Sequence, residues 1–208
     1  MSHILMHGLG QTGGAWEEVR GALLAGGVDA CCPDLLSMLP EGGGFWQLFE
    51  EAASFCDRQT GPLHLCGLSL GGLLALGYAK RSPERVGSLV LIGTPCPIPR
   101  RLLQIQQWLF RAMPERSFTS LGLSKSAFLT LTDSMKDLAV APGLEALSCP
   151  CLILCGARDR VNRNAAGRLH EAIPGSALHM IPGAGHEVDA DAPAALAEEL
   201  LTFWTRGR

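Results

Sequence analysis

The sequence carries little charge and only a small excess of acidic over basic residues, which disfavours several classes of function. Its 208 residues include 17 basic and 20 acidic side chains, for a formal net charge of −3. A protein that binds nucleic acid needs a basic surface for the phosphates, so this balance disfavours a nucleic-acid partner. Apolar residues at 47% against charged residues at 18% are typical of a globular chain with buried strands. At this length we expect one domain over residues 1–208.

Long apolar runs and targeting segments are also missing. The strongest apolar stretches, such as residues 89–92, fall far short of the roughly 18 residues needed to span a bilayer. The first residues, MSHILM, have neither a basic n-region nor a small-residue cleavage site. We therefore expect a cytoplasmic protein without a membrane span.

The eight cysteines do not fit a disulfide framework or a metal site. Disulfide-rich scaffolds are short secreted chains, whereas several of these cysteines lie in apolar, strand-like runs. Cys149 and Cys151 are too close together for a usual zinc pair. We expect reduced thiols and no bound metal.

Apolar runs and helical patterns alternate along the chain. The predicted strands are residues 2–6, 28–32, 63–66, 86–92, 151–155 and 177–181. The predicted helices are residues 15–25, 45–58, 70–80, 165–173 and 193–204. Because the strands are continuously apolar, the pattern predicts a three-layer α/β/α fold around a mostly parallel six-stranded sheet.

Residues 95–150 interrupt this alternation, since they contain helical patterns and no convincing strand. We expect a short helical cap insertion at about residues 97–140. One helical face is predicted to consist of Leu102, Ile105, Leu109 and Ala112, with Trp108 beside it. This helix either packs on its own domain or roofs a pocket. In the second case Trp108 is a candidate substrate contact.

The strongest chemical signal is the sequence GLSLGG at residues 67–72, between a predicted strand and a predicted helix. This context matches a nucleophile elbow, in which Ser69 sits on a sharp, strained turn at the start of a helix. Gly67 and Gly71 fit that turn because a side chain at either position would crowd it. The bare pattern also arises by chance in a glycine-rich chain, so an ordinary β-α turn is the alternative.

A second glycine-rich loop, HGLGQTGG at residues 7–14, follows the first predicted strand. As an oxyanion loop it would direct the Leu9 amide at a substrate oxygen, together with the Leu70 amide that follows the nucleophile. His7 and Gly8 are then candidate substrate-binding residues.

The same loop also has the spacing of a dinucleotide fingerprint, in Gly8, Gly10 and Gly13. Asp29 or Asp34 would then bind the ribose, and the protein would be an oxidoreductase. We favour the oxyanion interpretation because it explains both glycine loops with one site.

An acid and a histidine follow the last two predicted strands. Asp159 comes after residues 151–155, and His186 comes after residues 177–181. Ligands bind at the carboxyl ends of the strands in open α/β sheets, so both side chains are placed for chemistry. The order Ser69, Asp159, His186 is the one that α/β-hydrolase triads use.

Three other aspartates are interpreted as structural. Asp34 is predicted to be a turn residue and the fallback acid should Asp159 fail. Asp189 and Asp191 are interpreted as helix N-terminal charges before Pro193.

These motifs resemble the α/β-hydrolase superfamily, especially its cytosolic esterase-like members, from residue 3 to residue 204. The similarity is carried by residues 7–10 with Trp16, 67–72, 156–159 and 183–186. Two features depart from the family pattern. His7 arrives without a preceding hairpin, which implies six strands rather than eight, and PDLLSMLP at residues 33–40 replaces the usual Pro-Gly-His-Gly continuation.

The resemblance implies a serine hydrolase that cleaves small to medium carboxylic esters through an acyl-enzyme, without metal or organic cofactor. Its expected partner is a small ester-like molecule, and the sequence indicates no oligomeric state. A thioesterase, a lactonase or a C–C hydrolase with the same triad remains open, as does a ligand-sensing protein of this fold.

Overall fold

The computed structural model describes residues 2–98, 100–119 and 123–205, and its six strands form one sheet. The strand order is β2-β1-β3-β4-β5-β6, and every neighbouring pair is parallel. The strands are β1 (Ser2–Met6), β2 (Ala30–Cys31), β3 (Leu63–Leu68), β4 (Val86–Ile92), β5 (Cys151–Gly156) and β6 (Ala177–Ile181). The predicted six-stranded α/β sheet is confirmed, although β2 is shorter than expected and the sheet is entirely parallel.

Helices connect the strands and cover both faces of the sheet. They are α1 (Glu17–Ala25), α2 (Phe45–Asp57), α3 (Leu70–Arg81), α4 (Arg100–Ala112), α5 (Arg116–Thr119), α6 (Lys125–Ser134), α7 (Arg163–Ala172), α8 (Val188–Asp191) and α9 (Pro193–Thr205). Short 3₁₀ turns occur at Gly13–Trp16, Leu35–Met38, Pro83–Arg85 and Leu144–Ala146. In the described part of the chain, no helix combines the length and apolarity that crossing a bilayer requires.

The central strands are apolar on both sides because each side faces a helical layer. In β3, Leu65 joins the core beneath α2, α3 and α7, whereas Cys66 joins the core beneath α1 and α9. In β4, Leu89 joins the first of these cores and Val90 joins the second. Successive side chains of a strand point to opposite faces of the sheet. Because both faces are buried here, successive positions such as these are both apolar, and the apolar runs in the sequence are unbroken.

All eight cysteines are free thiols, and most lie in these cores. Burial raises the pKa of Cys56 and of Cys151 to about 12, and it raises the pKa of Cys32 to about 11. Since the thiolate is the reactive form, the raised pKa values disfavour reaction of these thiols near neutral pH.

Three helices, α4 to α6, lie between β4 and β5, and an aromatic cluster holds them together. The Phe128 ring lies 4.9 Å from the Phe110 ring and 5.1 Å from the Phe118 ring, centroid to centroid. The predicted buried face of α4 is wrong, because Ile105 and Leu109 are 59% and 50% exposed. Phe110 points inward instead; Ala112 is also exposed, and the side chain of Leu102 lies outside the described residues.

Replacing Phe128 with alanine tests this aromatic cluster. We expect Phe128→Ala to lower the free energy of unfolding by about 3 kcal/mol, because it leaves a cavity where a ring is 98% buried. Leu109→Ala on the exposed side of α4 is the control and should change it by less than about 0.5 kcal/mol. Urea denaturation measures both, and equal losses would contradict the described packing of α4.

Candidate active site

The strand-to-helix turn between β3 and α3 holds Ser69 in a strained backbone conformation. Ser69 has φ 52° and ψ −106°, and it is the one non-glycine residue with positive φ in the described part of the chain. Its amide donates to the Ile92 carbonyl at 2.8 Å, and its own carbonyl accepts from the Leu73 amide at 3.1 Å. Strain of this kind persists only where the surroundings hold it, and it is concentrated at functional sites.

The two glycines flanking the turn have no room for a side chain. A Cβ atom on Gly67 would collide with the backbone of Gly71, and one on Gly71 would collide with the Met6 carbonyl at the end of β1. The close approach of β1, β3 and α3 therefore depends on both glycines, which gives the GxSxG spacing a steric cause.

Leu9 and Leu70, whose amides are predicted to bind an oxyanion, line the same cavity as Ser69. Leu70 is the first residue of α3, where an amide has no partner within the helix. Leu9 follows β1, and none of the described residues accepts a hydrogen bond from its amide. Leu9, Leu70 and Ser69 all line this cavity.

His7 is fully buried and holds the loop instead of facing the cavity. Its Nε2 accepts from the Leu35 amide at 3.0 Å, so its Nδ1 carries the proton and donates to the Gly8 carbonyl at 2.9 Å. Burial lowers the pKa of His7, which favours this neutral form. Of the two loop residues predicted to bind substrate, Gly8 lines the cavity and His7 does not.

Asp159 and His186 are paired at the ends of β5 and β6. The Asp159 Oδ2 atom lies 2.8 Å from the His186 Nδ1 atom. A carboxylate only accepts, so Nδ1 carries the proton and Nε2 keeps a free lone pair. Burial opposes the charge of Asp159, but hydrogen bonds from His186 and Asn162 outweigh burial and lower the pKa of this carboxyl.

Asn162 is a second partner of Asp159 that the sequence did not reveal. Its amide donates to Oδ1 at 3.1 Å, and its side chain donates to Oδ2 at 2.8 Å. Both carboxylate oxygens are thereby oriented. Asn162 also lines the cavity. Only its position three residues after Asp159, at the start of α7, could have suggested this role.

Gly93, directly after β4, makes room for the pair. Its φ is +51°, and a Cβ atom there would lie 3.1 Å from His186 Nδ1 and 3.5 Å from Asp159 Oδ2. Positive φ together with crowding explains why the strand ends in glycine at this point.

The fallback acid Asp34 lies at the first glycine loop, away from His186. Its Oδ1 accepts from the Gly13 amide at 2.5 Å, so this amide is already paired with a carboxylate. Glu17 and Glu18 occupy the first turn of α1, where a pyrophosphate would need a positive field. These contacts favour the oxyanion interpretation of the loop over the dinucleotide one.

No group of three His, Cys, Asp or Glu residues in the described segments is placed to hold a metal ion.

Asp189 and Asp191 have specific partners and are more than helix-terminal charges. They lie in α8, and Asp191 Oδ2 accepts from the Gly185 amide at 2.6 Å, next to His186. Asp189 Oδ2 accepts from the Gln11 side chain at 3.0 Å, across the site. Both residues also lie in the first turn of α8, before Pro193, as predicted, and the two side-chain contacts are additional to that position.

The cavity has a volume of about 230 Å³, with a polar end at the paired side chains and an apolar end toward α4 and α6. The residues that line it are Gly8, Leu9, Gln11, Leu68, Ser69, Leu70, Pro95, Ile98, Phe110, Met135, Asn162, His186 and Glu187. The structure does not bring Trp108 to this cavity, because the indole is 69% exposed on the outer side of α4. Phe110, two residues later, lines it instead.

Comparison with known proteins gives the same assignment of fold and kind of enzyme. The chain is 27% identical to a pimeloyl-[acyl-carrier protein] methyl ester esterase of Chromobacterium violaceum, over 96% of this chain and 94% of the relative. It is 28% identical to a 2-hydroxy-6-oxononadienedioate/2-hydroxy-6-oxononatrienedioate hydrolase of Dechloromonas aromatica, over 60% and 55%.

Among solved structures, a thermophilic esterase of Thermogutta terrifontis superimposes with a TM-score of 0.80 at 22% identity, covering 100% of this chain and 90% of the other. A family model described as the alpha/beta hydrolase family matches residues 4–199. The chain therefore belongs to the alpha/beta hydrolase family, as an esterase-like hydrolase.

Proposed function

We propose that this hydrolase cleaves small to medium, uncharged carboxylic esters, with Ser69, His186 and Asp159 as its catalytic triad. The observation that carries the proposal is the 2.8 Å pair between His186 and Asp159 at the rim of the cavity that also contains Ser69. That pair leaves the second imidazole nitrogen free to act as a base, and His186 lines the same cavity as the strained, partly buried Ser69. Acyl transfer is the chemistry for which this arrangement is suited.

In the first half of the reaction, the Ser69 oxygen attacks the ester carbonyl as His186 Nε2 takes the hydroxyl proton. The oxyanion that forms accepts hydrogen bonds from the Leu9 and Leu70 amides. His186 then gives the proton to the leaving alkoxide as the C–O bond breaks, which releases an alcohol. Asp159 stabilises the transient imidazolium throughout.

In the second half, water attacks the acyl-enzyme while His186 again acts as the base. The proton returns to Ser69 as the acyl–oxygen bond breaks, and a carboxylic acid leaves. No step requires a group beyond substrate, water and these side chains.

The cavity supports the proposed substrate class by its size and lining. About 230 Å³ accommodates a short acyl group, and Ile98, Phe110 and Met135 give that end an apolar surface. None of the described lining residues is Lys or Arg, while Glu187 adds a carboxylate. One relative is named for a dioate, a doubly charged substrate, and this lining disfavours such a substrate. The same triad could also cleave thioesters and lactones.

Ser69→Ala tests the nucleophile. We expect turnover of p-nitrophenyl butyrate to fall by a factor on the order of 10⁶, because none of the other described residues that line the cavity carries a hydroxyl or a thiol. A fluorophosphonate probe should label the wild type at Ser69, as read by peptide mass spectrometry. Ser54→Ala, at a partly exposed position on α2, is the matched control and should keep both properties. Esterase activity retained by Ser69→Ala would refute the assignment.

Asp159→Asn tests the orienting acid. The amide would favour the tautomer with the proton on Nε2, so we expect kcat to fall by about 10⁴ while the fold is retained. Asp133→Asn removes an exposed carboxylate paired with Lys136 and should leave kcat unchanged. Steady-state kinetics and thermal melting measure both variants, and a result for Asp159→Asn that matches the control would contradict its role.

Glu187→Gln tests the preference for uncharged acyl groups. We expect the wild type to favour p-nitrophenyl butyrate over the anionic p-nitrophenyl hemisuccinate. The variant should raise kcat/KM for the hemisuccinate about 3- to 10-fold, since a like charge near the site costs on the order of 1 kcal/mol. Glu198→Gln on the exposed side of α9 is the control. An unchanged ratio of the two substrates in Glu187→Gln would show that this carboxylate does not select.

A further inference from the structure

We infer that Asp189 is a positioning residue that holds the oxyanion loop through the side chain of Gln11. This inference rests on the proposed function, because it concerns the Leu9 amide of the same site. Two hydrogen bonds form the link: Gln11 Nε2 donates to Asp189 Oδ2 at 3.0 Å, and the Gly8 amide donates to Gln11 Oε1 at 2.9 Å.

The chemistry of the partners fixes the direction of this link. A backbone amide can only donate, so the Gln11 oxygen must face Gly8. The Gln11 nitrogen then faces Asp189, whose carboxylate accepts. A flipped glutamine would place a donor against a donor and an acceptor against an acceptor. The side-chain amide is therefore held in one orientation from both ends.

The link ends next to the proposed oxyanion donor. Gly8 precedes Leu9, and the Gly8 carbonyl also accepts from the Gln11 amide at 3.3 Å. Leu9 thus lies within a turn that is closed by the backbone and by the side chain of the same glutamine. A Cβ atom on Gly8 would lie only 3.2 Å from Gln11 Oε1, so the glycine lets the two groups approach. Without the Gln11 side chain, the turn keeps one of its two closing bonds.

The Asp189 side chain contacts this loop through Gln11 and does not reach the cavity. It is 2% exposed, it does not line the cavity, and burial raises the pKa of its carboxyl. Burying a carboxyl group loses its hydration and destabilises the fold, whereas a hydrophobic side chain at the same core position would not. The partner that it reaches belongs to the other side of the active site.

Helix α8 thereby connects the two halves of the site. Asp191 holds the loop of the base through the Gly185 amide at 2.6 Å, while Asp189 holds the oxyanion loop through Gln11. One helical turn thus sets where the Leu9 amide lies relative to His186.

A double-mutant cycle tests the link, with Gln11→Met, Asp189→Ala, the double variant and Asp189→Asn. We expect Gln11→Met and Asp189→Ala each to lower kcat for p-nitrophenyl butyrate about 10- to 100-fold, with KM within about threefold. This is less than the 10²- to 10³-fold loss for removal of an oxyanion donor, because the Leu9 amide is displaced and still present. The double variant should lose no more than the worse single variant, since both break one chain of contacts. Asp189→Asn keeps an acceptor for Gln11, so kcat of this variant should stay within about threefold of the wild-type value.

Two further measurements separate positioning from a merely structural role. An alkyl trifluoromethyl ketone forms a tetrahedral oxyanion on Ser69, so its inhibition constant should rise in proportion to the loss of kcat. Gln59→Met removes a side-chain bond to the Phe55 carbonyl on α2 and is the matched control, with unchanged kinetics. Gln11 is only partly buried, so Gln11→Met decides the question even if Asp189→Ala does not fold.

Several outcomes would overturn the inference. The first is a loss of kcat in the double variant equal to the product of the losses in the two single variants. The second is a lowered melting temperature with full kcat in the single variants. The third is a rise in KM alone for Gln11→Met, which would make Gln11 a direct substrate contact. A wild type that neither hydrolyses the ester nor is labelled at Ser69 overturns the proposed function, and this inference with it. An active, labelled wild type with an unaffected Gln11→Met overturns this inference alone.

Discussion

The close approach of three backbones at the turn after β3 is the constraint on which the rest of this structure depends. Gly71 of α3 lies against the Met6 carbonyl of β1, and Gly67 lies against Gly71 itself. This contact brings the end of β1, with the glycine-rich loop proposed to bind the oxyanion, to the N-terminus of the helix that follows Ser69. A single packing requirement therefore brings the strained serine, Leu9 and Leu70 to the same cavity.

The parallel sheet brings the remaining groups to the same edge. Because all six strands run in one direction, the loops after β1, β3, β5 and β6 emerge on one side, and the strand order reverses between β1 and β3. Gly93 leaves the space in which His186 and Asp159 meet. The site is thus built from loops whose positions follow from strand direction, with glycine wherever two of them would collide.

Much of this arrangement could be predicted from the sequence, because it follows from local rules. The bounds of β1, β4 and β6 follow from short apolar runs, and the pairing of Asp159 with His186 follows from their places after neighbouring strands. The position of Trp108 could not be predicted in the same way. Helix α4 has apolar residues on more than one side, so periodicity alone does not say which side turns inward.

The contacts of Asn162, Gln11 and Asp189 were beyond sequence reasoning for a different reason. A polar residue in a loop has no periodic signature, and its role depends on a partner that only the tertiary fold supplies. Gln11 and Asp189 are 178 positions apart, and no local pattern relates them. The single-domain organisation and the cytoplasmic location stay predictions.

The buried thiols have a consequence for covalent chemistry. Sulfur is ordinarily the most nucleophilic atom that a protein offers, yet burial raises the pKa of every cysteine in this chain. With the proposed assignment, the usual order is inverted: one activated hydroxyl outcompetes eight sulfhydryls for an acylating electrophile. An electrophile that discriminates by nucleophilicity would then modify this protein at a single oxygen atom.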